Sequence, residues 1–139
     1  MKYNIKIKTE NDIAILRESG KRLSLVLTAV SKEVKPGVTT GYLNDFVYKM
    51  ITDMGDTPAF LNYKPFGAAY PYPGSICISV NDEVVHGIGG DRVLKEGDIV
   101  GLDGGVKHKG MISDSARTVA VGTISDEDKE LMQATKDAL

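Results

Sequence analysis

The chain has a single cysteine, Cys77, among 139 residues. No internal disulfide can form, and a reducing intracellular compartment is the natural setting. No apolar run approaches the roughly 18 residues that would suggest a membrane-spanning helix, and no secretory h-region opens the chain. These absences predict a soluble, cytoplasmic protein. A surplus of one charge is missing too: 17 Lys and Arg stand against 19 Asp and Glu, a formal net charge of -2. The charges are well mixed, which gives no electrostatic reason to expect nucleic acid or an anionic membrane as partner. Internal repeats and low-complexity segments are absent, and the length suits one domain, residues 1–139.

What is present reads in order. Residues 3–8 alternate apolar and basic side chains, as a short strand or extended arm does. Thr9 with Asp12 three positions on forms a variant capping box, opening a helix whose apolar stripe is Ile13, Leu16, Leu23, Val26, Leu27, Val30 and Val34. Pro36-Gly37 ends it. Thr40 is expected to cap a second helix over residues 41–54, with Leu43, Phe46, Val47, Met50 and Ile51 buried and Gly55 as its stop. Residues 57–74 are rich in proline, glycine and aromatics without either periodicity, and read as a long ordered loop of the functional kind. A strand is predicted over 75–80, a turn at 81–83, a second short strand over 84–87 and a polar connection over 91–97. Ser125 with Asp128 starts a final helix from residue 126 onward.

Residues 97–122 carry the chemistry. Two β-rich runs, 98–106 and 110–121, flank the Lys-rich turn 107–110, the pattern of a hairpin. Folding about a midpoint between His108 and Lys109 sets Asp103 opposite Asp114. Opposed side chains share a face with Cβ atoms about 5 Å apart. Two carboxylates at that distance repel by about 3 kcal/mol at an effective dielectric near 20, unless a proton or cation sits between them. Oxygen ligands alone suit Mg²⁺ or Mn²⁺, and an added imidazole admits Fe²⁺, Co²⁺ or Zn²⁺. Of the two histidines, His86 closes a strand beside Gly87, where backbone can approach a ligand. His108, between two lysines in the turn, reads as solvated. Cys77 alternates with Ile76 and Ile78 and reads as a small buried hydrophobe rather than a nucleophile. Phe66, Tyr70 and Tyr72 are either loop packing or the wall of an apolar pocket. The Gly89-Gly90 and Gly104-Gly105 pairs lack the strand-to-helix setting of a phosphate loop.

In order, SICISVNDEVVHGI, LKEGDIVGLDGG and SDSARTVAVG resemble the type I methionine aminopeptidases of the pita-bread fold, and the likeness runs over nearly the whole chain. It implies an α/β (α+β) architecture in which two or three helices pack on a curved antiparallel sheet, half of a pita-bread domain. It implies metal-dependent removal of the initiator methionine from nascent polypeptides, at a centre of two divalent ions (Co, Mn, Fe or Zn). Asp103 and Asp114 match two ligands of that centre. His86 matches a histidine that contacts substrate at the scissile peptide, and Tyr72 and Cys77 match residues lining the methionine pocket.

The departures matter as much. One histidine and two glutamates complete the family's centre in a second half of the fold, and residues 1–139 hold two of the five ligands. Turnover by this chain alone is therefore not expected, nor is more than weak metal binding. A homo-oligomer or a complementing C-terminal half is an expected partner, because a half-fold leaves a sheet edge and an apolar face uncovered. Gly101 and Gly104 replace bulkier residues, Ile112-Ser113 stand where His-Gly is usual, and Gly89 stands for proline. The loop over 64–73 is longer than in common members. Two other readings remain: a non-catalytic pita-bread module that binds peptides or a protein partner, and a related dipeptidase or proline-specific peptidase half. The PAFLNY and NDEVVHG segments argue against the last.

Overall fold

The structure, a computed structural model, describes residues 7–139, so most of the short strand expected over 3–8 lies outside the described residues. Helix α1 (Glu10–Glu33) starts where predicted. The Asp12 N–H donates to the Thr9 hydroxyl at 3.2 Å, and the Thr9 N–H returns a bond to the Asp12 carboxylate at 3.0 Å. Its stripe buries Leu23, Val26, Leu27 and Val30, while Ile13 stays exposed near the first turn. Helix α2 (Thr40–Asp53) is capped by Thr39 rather than Thr40. The reason is tertiary. Thr40 is buried, and its hydroxyl donates to the Gly90 carbonyl at 3.2 Å and accepts from the Gly90 N–H at 3.0 Å, tying the helix to the segment after His86. Gly55, at φ +75°, turns the chain out of α2 as expected.

Four antiparallel strands follow: β1 (Thr57–Pro58), β2 (Ile76–Val80), β3 (Ile99–His108) and β4 (Met111–Ala120). Strand β3 is central. Along one edge it pairs with the whole of β4, and along the other with β2 and then β1. Strand alternation sorts the side chains into two faces. Ile76, Ile78, Val80, Val100, Leu102 and Val106 meet Leu23, Val26, Leu27 and Val30 of α1 and Leu43, Val47 and Ile51 of α2 in one core. The other face of the sheet therefore carries Cys77 of β2, Asp103 of β3 and Asp114 of β4. Helix α3 (Asp126–Asp137), capped by Ser125, buries none of its residues.

Two local expectations are corrected. The hairpin turn is tighter than a tetrapeptide: His108 pairs with Met111, leaving only Lys109 (φ +46°) and Gly110 (φ +84°) as the loop, a two-residue turn with both φ values positive. Opposed partners move accordingly, so Asp103 pairs with Ala116 and Asp114 with Gly105. The strand expected over 84–87 does not form. His86 takes a left-handed φ of +60° that turns the chain away, and β2 receives one backbone bond from the segment, Ile78 N–H to the Gly87 carbonyl at 2.8 Å. Among the described residues no helix is long and apolar enough to cross a membrane.

Candidate metal centre and substrate pocket

The open face of the sheet is the floor of a cavity of about 380 Å³ lined by Phe60, Tyr63, Pro65, Ala68, Tyr70, Tyr72, Cys77, His86, Asp103 and Asp114. Three connections build it. Strand β3 supplies Asp103, opposite Cys77 on one side and Ala116 on the other. Strand β4 supplies Asp114, one rung diagonally from Asp103 and on the same face, since the corrected register preserves the alternation. The wall comes from the loop after β1, whose two arms are joined by backbone bonds of Asn62 N–H to the Tyr72 carbonyl (2.8 Å) and Tyr72 N–H to the Tyr63 carbonyl (2.9 Å). Phe66 at the tip of this flap is fully exposed. Gly105 lets the wall approach the floor, because an added Cβ would meet the Ala59 Cβ at 2.9 Å and the Phe60 ring at 3.1 Å.

The aspartates are electrostatically strained. Asp103 Oδ1 is buried without a hydrogen-bond partner, a costly state for a carboxylate oxygen. Burial and then the neighbouring charge of Asp114 push the Asp103 carboxyl above its usual range, with His86 acting in the opposite direction. Burial likewise pushes the Cys77 thiol up, the charges of Asp103 and Asp114 adding to it against a hydrogen bond with Tyr72. A thiol held neutral in this way is a poor nucleophile.

An unpartnered buried carboxylate oxygen beside a second carboxylate fits a hard divalent cation. The donor set is nevertheless short: among the described residues no group of three or more His, Cys, Asp or Glu is placed to hold a metal ion. The chemistry of Asp103 and Asp114 fits one wall of a metal centre, for which they are the candidate ligands.

His108 differs from its reading as a solvated turn residue. It is 7 % exposed, and its Nδ1 lies 2.7 Å from Asp56 Oδ1 while Asp56 Oδ2 accepts from Arg22 at 3.1 Å. With the turn shortened, His108 continues the core-facing series Val100, Leu102, Val106, a signal that strand alternation held in the sequence. Phe60 and Tyr63 were missed as lining residues, because an aperiodic loop gives no indication of which side chains point inward.

Residues 14–139 match the family model described as metallopeptidase family M24. The chain belongs to metallopeptidase family M24. Among the family's members, methionine aminopeptidase 1 of Bacillus subtilis is 43% identical over 132 residues, covering 95% of this chain and 51% of that protein. The crystal structure of methionine aminopeptidase from Rickettsia prowazekii superposes with a TM-score of 0.89 at 42% identity, covering 96% of this chain and 52% of that one. An Xaa-Pro dipeptidase from Bacillus anthracis fits less well, with a TM-score of 0.73 and 28% identity over 89% of this chain and 32% of that one. The three helices and four-stranded antiparallel sheet are the half pita-bread architecture of the methionine aminopeptidase structures. This M24 chain spans about half the length of the curated relatives it matches.

Proposed function

We propose that this M24 chain supplies one wall of a methionine aminopeptidase site, in which Asp103 and Asp114 hold divalent metal and the cavity receives an N-terminal methionine. The observation that carries the reading is Asp103 Oδ1, buried without a partner beside Asp114 at the floor of a largely apolar cavity. When bound, divalent ions at such a site polarise the peptide carbonyl and activate water. The chain's own residues divide the remaining work. Phe60, Tyr72 and Cys77 offer a neutral, largely apolar surface for an unbranched thioether side chain. His86, at the cavity wall, supplies a ring nitrogen to hydrogen-bond the scissile peptide and keep it against the aspartates. The donors that complete the centre come from a further segment or a second chain, and residues 1–139 alone neither bind metal tightly nor turn over substrate. The working compartment is the cytoplasm, where new polypeptides expose their first methionine.

Calorimetric titration with Mn²⁺ or Co²⁺ tests the metal sites: weak heat for the wild type, abolished in Asp103→Ala and in Asp114→Ala. Equal titrations for all three proteins would sink the assignment. Methionine release from Met-Ala-Ser by the 139-residue chain would instead overturn the claim that it needs further donors.

A second reading follows from the shortage of donors: a pita-bread module that binds peptides or a protein partner without hydrolysis. Peptide binding that is indifferent to both aspartate substitutions and to chelator would favour it.

A further inference from the structure

Tyr72 enters the cavity twice. Its ring lines the wall, but its hydroxyl points at backbone, 2.8 Å from the Gly87 carbonyl and 3.2 Å from the Ile76 carbonyl. A phenol has one proton to donate, and the shorter distance assigns it chiefly to Gly87. The hydroxyl therefore has no donor left for a bound peptide.

The carbonyl it holds is the hinge of the segment that carries His86. The Gly87 carbonyl also accepts the Ile78 N–H at 2.8 Å, filling both its lone pairs. The Gly87 N–H donates to the Ser79 hydroxyl at 3.1 Å. A Cβ at Gly87 would overlap the Ile78 carbonyl, so only glycine can lie this close to β2. Immediately before it, His86 sits at φ +60°, a conformation that non-glycine residues keep only when their surroundings impose it. Three hydrogen bonds on Gly87, one from its N–H and two to its carbonyl, impose it here. Without them the residue would relax to negative φ and swing its ring off the cavity.

We propose that Tyr72 is a positioning residue for His86: its hydroxyl pins the Gly87 carbonyl against β2, and the left-handed turn that results keeps the imidazole at the cavity beside Asp103. Tyr72 also closes the base of the flap through its own N–H and carbonyl. Filling of the pocket and placement of the histidine thus depend on one residue. What His86 does once placed rests on the peptidase reading; that Tyr72 places it does not.

The test is Tyr72→Phe in the 139-residue chain, which keeps the ring and removes the hydroxyl. The readouts are the His86 Cε1–Hε1 cross-peak in a carbon–proton correlation spectrum and amide exchange at Ile78, recorded without metal or peptide. The expected result is a shifted or doubled His86 signal and at least roughly tenfold faster exchange at Ile78, with the His108 signal unmoved as the reference for an intact fold. Replacing Tyr72 by p-aminophenylalanine, which restores a donor at the same place, should return both readouts to wild type. A His86 signal in Tyr72→Phe that superimposes on the wild type overturns the proposal. So does failure of the amino variant to restore it, which would leave packing of the ring as the sole role. If Tyr72→Phe does not fold, the amino variant decides alone, since it must show the wild-type His86 signal. Failure of the metal titrations leaves these results intact, so the two ideas fall separately.

Discussion

Asp103 and Asp114 lie on adjacent strands and on one face, but diagonally: Asp103 is paired with Ala116 and Asp114 with Gly105. Diagonal neighbours in a sheet remain within reach of each other. Burial and the Asp114 charge both favour a proton on Asp103. In metal-free protein at neutral pH this costs stability. Asp103→Asn, whose amide can donate to Asp114, should stabilise the metal-free chain by about 1 kcal/mol, allowing for the solvent that still reaches the pair. The urea midpoint measured in EDTA would rise. An unchanged or lowered midpoint would show that the carboxylates do not strain each other.

Asp56 joins α1, the turn after α2 and β3 through Arg22 and His108. At 3 % side-chain exposure it has no access to replacement water. Asp56→Ala leaves the buried His108 Nδ1 without a partner, a loss of about 1–3 kcal/mol. Because β1 follows directly, backbone exchange at Ala59, whose N–H donates to the Gly105 carbonyl at 2.9 Å, should accelerate more than exchange in α1. Uniform acceleration across the fold would show that Asp56 supports global stability alone.

The parts of this structure that were legible in the sequence are those set by neighbours along the chain. The Thr9–Asp12 box and the Ser125 cap are three-residue devices, and both formed as read. The shared face of Asp103 and Asp114 survived an error in the turn, because a shift of partners by two positions keeps strand alternation intact. What failed depended on distant contacts. Thr39 rather than Thr40 caps α2 because Thr40 is needed by Gly90, and His108 is buried because Asp56 waits for it. The task of the Tyr72 hydroxyl was equally out of reach, since its acceptor is fifteen positions away in a segment without periodicity.

Asp98 gives the fold an acid-sensitive point. Burial opposes its ionised form, but hydrogen bonds from the Asn81 amide and the Lys95 N–H, aided by the charges of Arg92 and Lys95, outweigh it and hold the carboxyl below its usual range. A depressed carboxylate stabilises the fold above its unfolded value of about 3.9, and the contribution is lost as pH falls through the lower folded value. Asp98→Asn should therefore be less stable than wild type at pH 6, the difference shrinking as pH falls below about 4. A gap between the two denaturation midpoints that persists unchanged at pH 3 would contradict the assignment.

Strand β4 runs for ten residues along the edge of the sheet, paired only with β3 among the described residues. Among the described residues no other strand pairs with its outer edge, and its side chains from Asp114 to Thr118 are exposed. Natural sheets protect such edges with lysine, proline, bulges or a covering element, and between Met111 and Ala120 the one basic side chain, Arg117, turns to Thr28 on α1 at 3.4 Å. Helix α3 follows β4 with no buried residue of its own, and so offers the edge no cover. The chain should accordingly self-associate, edge to edge, as its concentration rises from micromolar to millimolar in sedimentation equilibrium. Ile112, which is exposed, and Thr118 are the positions to charge: Ile112→Lys with Thr118→Lys brings like charges together across any β4–β4 pairing and should weaken association by about tenfold. A wild-type chain that stays monomeric over the whole range would mean that the edge is protected by twist or solvation, and that a partner must recognise this surface by its side chains rather than by extending the sheet.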